Sequence, residues 1–245
     1  MAKSLMALAV AALAPFAPLA AQSSPSTESQ TLDEVEREVD RAESIEAIKR
    51  ITYMFSYYRD AHQYERALAL FDDAARYDFA NGQYVGKASI RRLFGSKRFA
   101  VAGRVPGSEG PPILNNHVMM QPAITLAADG RTAQARFKDL VFEAEHGKSQ
   151  TYSIGAYEND YVRGEGGRWL ISAVRYCYRF RAPYDMAARA LPVPPKSEAI
   201  PLTYPKDPEG PDRQINYYCH RYPDVGVNPP FHFNHPVTGE HIAKP

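Results

Sequence analysis

The fold can be inferred from the stretch TAQARFKDLVFEAEHGKSQTYSIGAYENDYVR, residues 132–163. Apolar and polar residues alternate along it with a period of two, which is typical of β-strands, and His146-Gly147 provides a turn between its two halves. The same period continues on both sides for about 70 residues in total. It predicts four strands, and the short turns between them indicate an antiparallel meander over 115–126, 132–145, 150–163 and 169–180.

The sequence before these strands has a helical period. From Asp33 onward, apolar residues recur at steps of three and four, which predicts a first helix ending near residues 60–62. A short second helix over 64–71 and a third over 87–94 are predicted next, with a short strand over 76–79 between them. Helices followed by an antiparallel sheet predict an α+β fold, a cone in which the curved sheet packs on the helices around a pocket.

The two ends of the chain differ from this central region. An apolar stretch containing two prolines ends in Leu19-Ala20-Ala21, which indicates a cleaved signal peptide over 1–21 and a periplasmic or secreted protein. A membrane anchor is the alternative interpretation of this stretch. We predict a flexible leader over 22–32, one domain over 33–182 and an extension over 183–245. The extension contains 13 of the 20 prolines, yet its aromatic residues favour an ordered arm over a disordered tail.

Composition and motifs exclude several classes of function. With 29 Lys and Arg against 28 Asp and Glu, the chain has no basic surplus for binding nucleic acid. A nucleophile elbow, a phosphate-binding glycine loop and a dinucleotide fingerprint are all missing from the sequence. These absences argue against the corresponding hydrolases, kinases and nicotinamide enzymes.

Cysteine and histidine are too sparse to define a metal site. Cys177 and Cys219 either form a disulfide or remain buried thiols, and their spacing matches no zinc or redox motif. The extension holds four of the seven histidines, but no carboxylate or cysteine cluster completes a zinc site. We therefore expect no metal at these residues: His220, His232, His235 and His241.

Short motifs in the central domain resemble a known family. They include Leu70-Phe71-Asp72-Asp73-Ala74-Ala75, Asn116-His117 and Gly167-Arg168-Trp169-Leu170-Ile171, in an order similar to the SnoaL-like branch of the NTF2-like superfamily. The resemblance covers about residues 44–180. It implies the cone fold, which carries both enzymes and binding modules. Scytalone dehydratase-type lyases and lignin diarylpropane γ-formaldehyde lyases are among the similar members, and most members use no cofactor.

The resemblance also implies an acid/base pair. Asp60 ends the first helix and His117 opens the first long strand, where the dehydratase-type members carry an aspartate and a histidine. An aspartate can orient a histidine and stabilise its protonated form, so the ring can transfer a proton near neutral pH. A solvated carboxylate and a core histidine are the alternative interpretation. We predict that both residues are catalytic.

A pocket lined by aromatic and apolar side chains is predicted around this pair. The resemblance places Arg59 and Phe79 where scytalone dehydratase-type enzymes carry two tyrosines, and Gly155 and Tyr157 where they carry a serine and an asparagine. Such a lining suits a hydrophobic, aromatic substrate. Periodicity adds further residues, so the candidate substrate-binding residues are Tyr53, Tyr57, Arg59, Phe79, Met119, Tyr157 and Arg175.

The sequence thus predicts an exported, cofactor-independent lyase. His117 moves a proton, while Tyr53, Tyr57 or Arg175 stabilises oxyanion charge on a small aromatic alcohol that loses water or formaldehyde. A lignin-derived diarylpropane diol is the favoured substrate. A periplasmic binding module without catalysis and a ketosteroid isomerase-like enzyme are the alternatives. No membrane contact is expected after signal cleavage, and superfamily analogy implies a homodimer or homotrimer.

Overall fold

The computed structural model describes residues 31–97, 99, 113–185, 200–215, 232, 234, 240 and 241. The predicted α+β fold is confirmed, with three described helices packed on a curved sheet. The four long predicted strands differ from those observed by at most three residues at any end. Within the described residues the elements are α1 (Leu32–Asp60), α2 (Tyr64–Leu68), β1 (Phe71–Phe79), β2 (Gly82–Val85), α3 (Gly86–Phe94), β3 (Ile113–Leu126), β4 (Thr132–Glu145), β5 (Ser149–Arg163), β6 (Trp169–Pro183) and β7 (Arg213–Gln214).

Helix α1 begins with a capping box and buries one face along its second half. The Thr31 side chain accepts from the backbone N–H of Glu34, and the Glu34 carboxylate accepts from the backbone N–H of Thr31. Two donors that the helix leaves unpaired are thereby satisfied. On the buried face, the Thr52 hydroxyl lies 2.6 Å from the Tyr161 hydroxyl on β5. The buried residues recur with helical spacing: Ser44, Ile48, Ile51, Thr52, Phe55 and Ser56.

The described strands form one sheet in the order β3-β4-β5-β6-β1-β2-β7. Strands β3 to β6 form the predicted antiparallel meander. The expectation of an antiparallel sheet is wrong in one place, because β1 pairs parallel to β6, with Tyr77 opposite Val174. The sheet is therefore mixed. The periodicity of a single segment cannot predict this pairing, because β2 to β5 lie between the two strands along the chain.

The core lies between the three helices and one face of the sheet, called the inner face below. Tyr157 and Tyr161 on β5 point to this face. The Phe55 ring meets Phe71 edge-on at 5.5 Å and Tyr157 at 6.5 Å between ring centroids. Each large ring buries about 150–250 Å², so aromatic packing contributes much of the hydrophobic stabilisation. Many of the 16 tyrosines thus belong to the core, a structural role that the tyrosine-rich composition alone could not distinguish from a pocket.

Residues 200–215, called the arm below, pack along β2 and α3. Strand β7 of the arm pairs with β2 and extends the sheet. The Asp212 carboxylate accepts from the backbone N–H of Val85 and from Arg92, both at 2.8 Å. A Cβ added at Gly82 would lie 2.5 Å from the Pro211 side chain, so only glycine permits this close contact.

We expect Asp212→Ala to release the arm from β2. The substitution leaves a partly buried backbone N–H without its acceptor, at a cost of about 1–3 kcal/mol. Limited proteolysis and amide hydrogen exchange measure the release as faster cleavage and exchange within 200–215. Asp129→Ala is the matched control, because that carboxylate accepts from the backbone N–H of Arg131 in an exposed turn away from the arm. Equal protection of the arm in both variants would contradict the prediction.

The opposite side of the sheet, called the outer face below, carries a buried layer of charged residues. Glu158 is 1% exposed and pairs with Arg136 on β4 and with His232 of the extension. Asp160 lies 2.6 Å from Arg175 on β6 and 3.2 Å from His232. Burial by itself lowers the pKa of His232, but Asp160 and Glu158 outweigh it and raise this pKa to about 9. The imidazole is therefore positively charged at neutral pH.

Some predicted segments lie outside the described residues. These are the signal peptide over 1–21, most of the leader over 22–32 and large parts of the extension over 183–245. The leader prediction extended too far, because Leu32 already belongs to the first turn of α1. No described helix combines the length and the apolar character needed to cross a membrane.

The predictions for cysteine and histidine are only partly covered by the described residues. Cys177 is fully buried and disulfide-bonded. Cys219, the other cysteine of the sequence, lies outside the described residues, as do His220 and His235. In the part of the chain that the structure describes, no group of three or more His, Cys, Asp or Glu side chains could hold a metal ion.

Candidate active site

The predicted residues Asp60 and His117 meet at the end of α1. The Nδ1 atom of His117 lies 2.5 Å from Oδ1 of Asp60, and the His117 backbone N–H donates to Oδ2 of Asp60 at 3.0 Å. Ser56, one turn earlier on α1, donates to the His117 carbonyl oxygen at 3.2 Å. Three hydrogen bonds therefore fix β3 against the last turn of α1, and the side chain of His117 has a defined orientation.

Asp60 occupies a position that is unfavourable for a carboxylate without specific partners. It is the last residue of α1, where the negative end of the helix dipole disfavours an anion. Its side chain is also only 15% exposed. The two N–H donors of His117 compensate for both effects. This arrangement differs from the solvated helix-end carboxylate that the sequence also allowed.

The hydrogen bond to Asp60 determines which nitrogen of His117 carries the proton. A carboxylate can only accept, so Nδ1 is protonated and Nε2 keeps its lone pair. Among the described residues, Nε2 has no hydrogen-bond partner. Burial and then the positive charge of Arg59 lower the pKa of His117 to about 4, although Asp60 acts in the opposite direction. The ring is therefore neutral at neutral pH, and Nε2 can act as a base.

Arg59 places a positive charge on the inner face next to this pair. Its Nη1 donates to the Tyr157 hydroxyl. Its guanidinium lies over the rings of Phe55 and Phe99, at 5.5 and 4.8 Å from their centroids. Burial by itself lowers the pKa of Arg59, but the surrounding tyrosines and Asp139 outweigh it and raise this pKa. Arg59 is thus charged at every accessible pH.

Asp139 and Tyr176 belong to the same face and were not predicted from the sequence. Asp139 is 0% exposed, and its carboxylate oxygens make no hydrogen bond of normal geometry. The Tyr176 hydroxyl lies beside it because Gly155, the register partner of Asp139, has no side chain. A Cβ at Gly155 would lie 2.2 Å from Oη of Tyr176. Burial raises the pKa of Asp139 to about 7, and Arg59 and Tyr176 only partly offset this effect.

The alternation along β4 contains a signal for Asp139. Residues 133, 135, 137 and 141 are apolar and buried, so residue 139 falls on the same buried face. A carboxyl at such a position must be paired or protonated. The strand prediction alone was therefore sufficient to make Asp139 a candidate. No comparable signal identifies Tyr176. Tyr178, two residues further along the same predicted strand, is also a tyrosine and is expected to point to the same face, so the sequence does not distinguish the two.

We expect Gly155→Ala to destabilise the protein by about 1–3 kcal/mol, because the new methyl group overlaps the Tyr176 ring. In a Tyr176→Leu background the overlap is removed, so the same substitution should cost much less. Urea denaturation of the four proteins measures this coupling as a double-mutant cycle. Equal costs in both backgrounds would show that the ring does not occupy the space over Gly155.

Three other predicted substrate-binding residues border the site through core contacts. Met119 is partly buried on the inner face of β3. Phe79 packs against Phe99 at 5.5 Å between centroids, and Phe99 covers the guanidinium described above. Tyr53 packs edge-on against Phe137 at 6.2 Å. These side chains shape the surroundings of the site from α1, β1 and β3.

Two predicted residues lie away from the site. Tyr57 is 68% exposed, because residues 53, 56 and 60 form the side of α1 that faces the sheet. Arg175 lies on the outer face, where it pairs with Asp160 and, at 3.7 Å, with Asp78. The prediction that either residue stabilises an oxyanion beside His117 is therefore wrong. Both faces of β6 are largely buried, so periodicity could not determine which one faces inward.

Solved structures share this fold at low sequence identity. A scytalone dehydratase-like protein of Novosphingobium aromaticivorans aligns with a TM-score of 0.50 and 16% identity, over 61% of this chain and 93% of its own. LinA aligns with a TM-score of 0.51 and 17% identity, over 60% and 94% of the two chains. An NTF2-like protein of N. aromaticivorans with a cystatin-like fold aligns with a TM-score of 0.48 and 20% identity, over 66% and 96%.

The alignments with TM-scores of 0.50 and 0.51 show the fold alone. No curated protein matches the sequence. A family model described as a SnoaL-like domain matches residues 40–175, which is more than half of the 245 residues. The matched range begins in α1 and ends in β6, so it contains Asp60, His117 and the rest of the inner face. The chain therefore belongs to the SnoaL-like family.

Proposed function

We propose that the protein is a cofactor-independent lyase that eliminates water or formaldehyde from a small aromatic alcohol. The observation that supports this most directly is the neutral His117, whose Nδ1 is held by Asp60 while Nε2 has no partner among the described residues. A neutral imidazole can accept a proton from a substrate, and the Asp60 carboxylate stabilises the imidazolium that forms. This pair supplies the base that an elimination requires.

The positive charge of Arg59 supports the same proposal. Its Nε carries a buried N–H without a hydrogen-bond partner in the described part of the chain. A buried cation with a free donor can stabilise negative charge that develops on a substrate oxygen. The rings of Phe55, Phe99 and Tyr157 surround this charge, which suits an aromatic substrate.

Within this class we favour a lignin-derived diarylpropane diol. Likeness to the scytalone dehydratase-like protein is compatible with dehydration, but Arg59 and Phe79 replace the two tyrosines that the dehydratase-type members carry. A diol with a terminal hydroxymethyl group offers a different reaction. The base takes the proton of the terminal hydroxyl, the C–C bond to that carbon breaks so that formaldehyde leaves, and the electrons of this bond form a double bond as the second hydroxyl departs and takes up a proton to form water. Export after cleavage of residues 1–21 and assembly into a dimer or trimer are further parts of this proposal.

Mass spectrometry of a substrate panel tests the proposal. The purified chain, without residues 1–21, is incubated with diarylpropane diols, sterols and hydroxylated polyketides, with no cofactor added. A product lighter by one water, one formaldehyde or both establishes a lyase. A product of unchanged mass at a new retention time indicates an isomerase, and a ligand-induced rise in Tm without any product indicates a binding module. Either of these last outcomes overturns the proposal.

A further inference from the structure

The inner face holds a second pair of proton-carrying groups that the chemistry above does not use. Asp139 is fully buried, whereas Tyr176 is partly exposed. The Tyr176 ring packs against Tyr157 at 4.6 Å between centroids, and its hydroxyl lies over Gly155, directly opposite Asp139 in the β4–β5 register. Tyr176 is thus the less buried residue of the pair, and its hydroxyl lies beside the buried carboxyl of Asp139.

This second pair lies on the same side of the sheet as His117. Met119 is opposite Asp139 in the β3–β4 register, and His117 is two residues further along β3. Side chains at such diagonal positions are about 7–8 Å apart. One small molecule can span this distance, so a substrate bound next to His117 also comes within reach of the Tyr176 hydroxyl.

The surroundings of the pair favour its protonated form. The polar groups around Asp139 come from five elements: Arg59 and Asp60 on α1, Tyr77 on β1, Glu143 on β4, Tyr157 on β5 and Tyr176 on β6. Burial raises the pKa of Asp139 to about 7 and raises the pKa of Tyr176 above its usual range. His117 is neutral at the same pH. Environments that push two pKa values apart in this way are typical of an acid and a base that act together.

We propose that Tyr176 is the general acid of the elimination and that Asp139 is a positioning residue that supplies the proton of Tyr176. The assignment rests on the proposed lyase function and narrows its substrates to compounds in which a hydroxyl group departs as water. The hydroxyl of the partly exposed Tyr176 and the buried carboxyl beside it form one path for a proton.

The proposed step balances as follows. Nε2 of His117 takes a proton from the substrate, and the electrons released form the new double bond while the C–O bond of the departing hydroxyl breaks. In a diol that also loses formaldehyde, the proton comes from the terminal hydroxyl, and the cleaved C–C bond supplies these electrons. Tyr176 donates its proton to the departing oxygen, so water forms, and accepts the proton of Asp139. Solvent then returns the proton from His117 to Asp139.

The leaving group provides the test. We compare a diarylpropane diol with the acetate ester of its departing hydroxyl, because acetate leaves without needing a proton. Tyr176→Phe should lower kcat on the diol by about a hundredfold, and Asp139→Asn by at least about tenfold. On the acetate both variants should remain within about threefold of the wild type, whereas His117→Ala should fail on both compounds.

The pH profile provides a second readout that a structural role would not produce. Wild-type kcat on the diol should fall above a pH of about 7, as Asp139 loses its proton. The residual activity of Asp139→Asn should lack this decline. Asp129→Asn and Tyr184→Phe are matched controls that should keep the wild-type kcat and profile: Asp129 accepts from the backbone N–H of Arg131 in an exposed turn, and Tyr184 is an exposed tyrosine.

Infrared spectroscopy at pH 6 tests the acid assignment independently of the proposed lyase function, because the measurement needs no turnover of a substrate. The wild type should show the band of a protonated carboxyl group that Asp139→Asn lacks. Absence of this band, or equal losses of kcat on both leaving groups, overturns the acid assignment while the lyase function stands. A wild type that shows the band but converts no hydroxyl compound overturns the lyase function, and the assignment fails with it.

Discussion

Replacing His117 by alanine is expected to lower kcat by at least about a hundredfold, because the elimination then lacks the base that accepts the substrate proton. Asp60→Asn should cause a loss of similar size. The asparagine side chain still offers one oxygen to the His117 N–H groups, but it lacks the negative charge that stabilises the imidazolium. Steady-state kinetics on the compound that reacts in the substrate panel measures both losses.

Two matched variants distinguish a loss of chemistry from a loss of structure. His146→Ala and Asp129→Asn change the same residue types at exposed turns of the sheet, and both should keep wild-type kcat. Far-UV circular dichroism should be similar for all four proteins, since the core residues are unchanged. The Tm of His117→Ala and Asp60→Asn should be lower than that of the two controls, because each change removes a partner from a largely buried pair, so kcat is compared at a temperature where all four proteins are folded. If His117→Ala and Asp60→Asn each kept more than roughly a tenth of the wild-type kcat, the acid/base assignment would be wrong.

The largest loss of stability is expected for Arg136→Met. Glu158 is buried between Arg136 and His232, and removal of the guanidinium leaves this carboxylate with the imidazolium as its charged partner. Removing one partner of a buried ion pair costs about 3–5 kcal/mol, because the remaining charge stays desolvated. Urea denaturation at pH 7 measures the decrease in the free energy of unfolding.

The rest of the test uses a control and a rescue on the same strands. Lys138→Met changes an exposed cation on the same side of β4, so it should change stability by less than about 0.5 kcal/mol. Combining Arg136→Met with Glu158→Met removes both charges and should restore most of the lost stability. A single Arg136→Met variant as stable as Lys138→Met would show that Arg136 does not compensate for the burial of Glu158.

Most of the fold was predictable because it depends on local patterns. The period of two over 132–163 predicted both strands within one residue, since one side of each strand must be buried and a shift by one residue would exchange the two sides. The spacing of apolar residues likewise predicted that α1 ends near residues 60–62, and it ends at Asp60. The parallel contact between β1 and β6 was not predictable in this way. It joins segments that are far apart in the sequence, and the alternation of apolar and polar residues in each strand is the same whichever strand it pairs with.

The resemblance to the SnoaL-like family predicted the central contact of the candidate site. It paired Asp60 at a helix end with His117 near a strand start, and their side chains are hydrogen-bonded. Prediction failed for Arg175 because its strand is largely buried on both faces. The outer face of that strand is covered by the charged layer around Glu158 and His232, which residues far apart in the sequence assemble.

The sequence by itself predicted three helices followed by four long strands, with strand ends within three residues of those observed, and its resemblance to the SnoaL-like family singled out Asp60 and His117. Only the tertiary structure decided that Tyr176 lies over Gly155 beside Asp139 and that Arg59 points into the aromatic core. The reason is physical. Periodicity reports which side of an element is buried, whereas the pKa and the reactivity of a group depend on the neighbours that packing places around it.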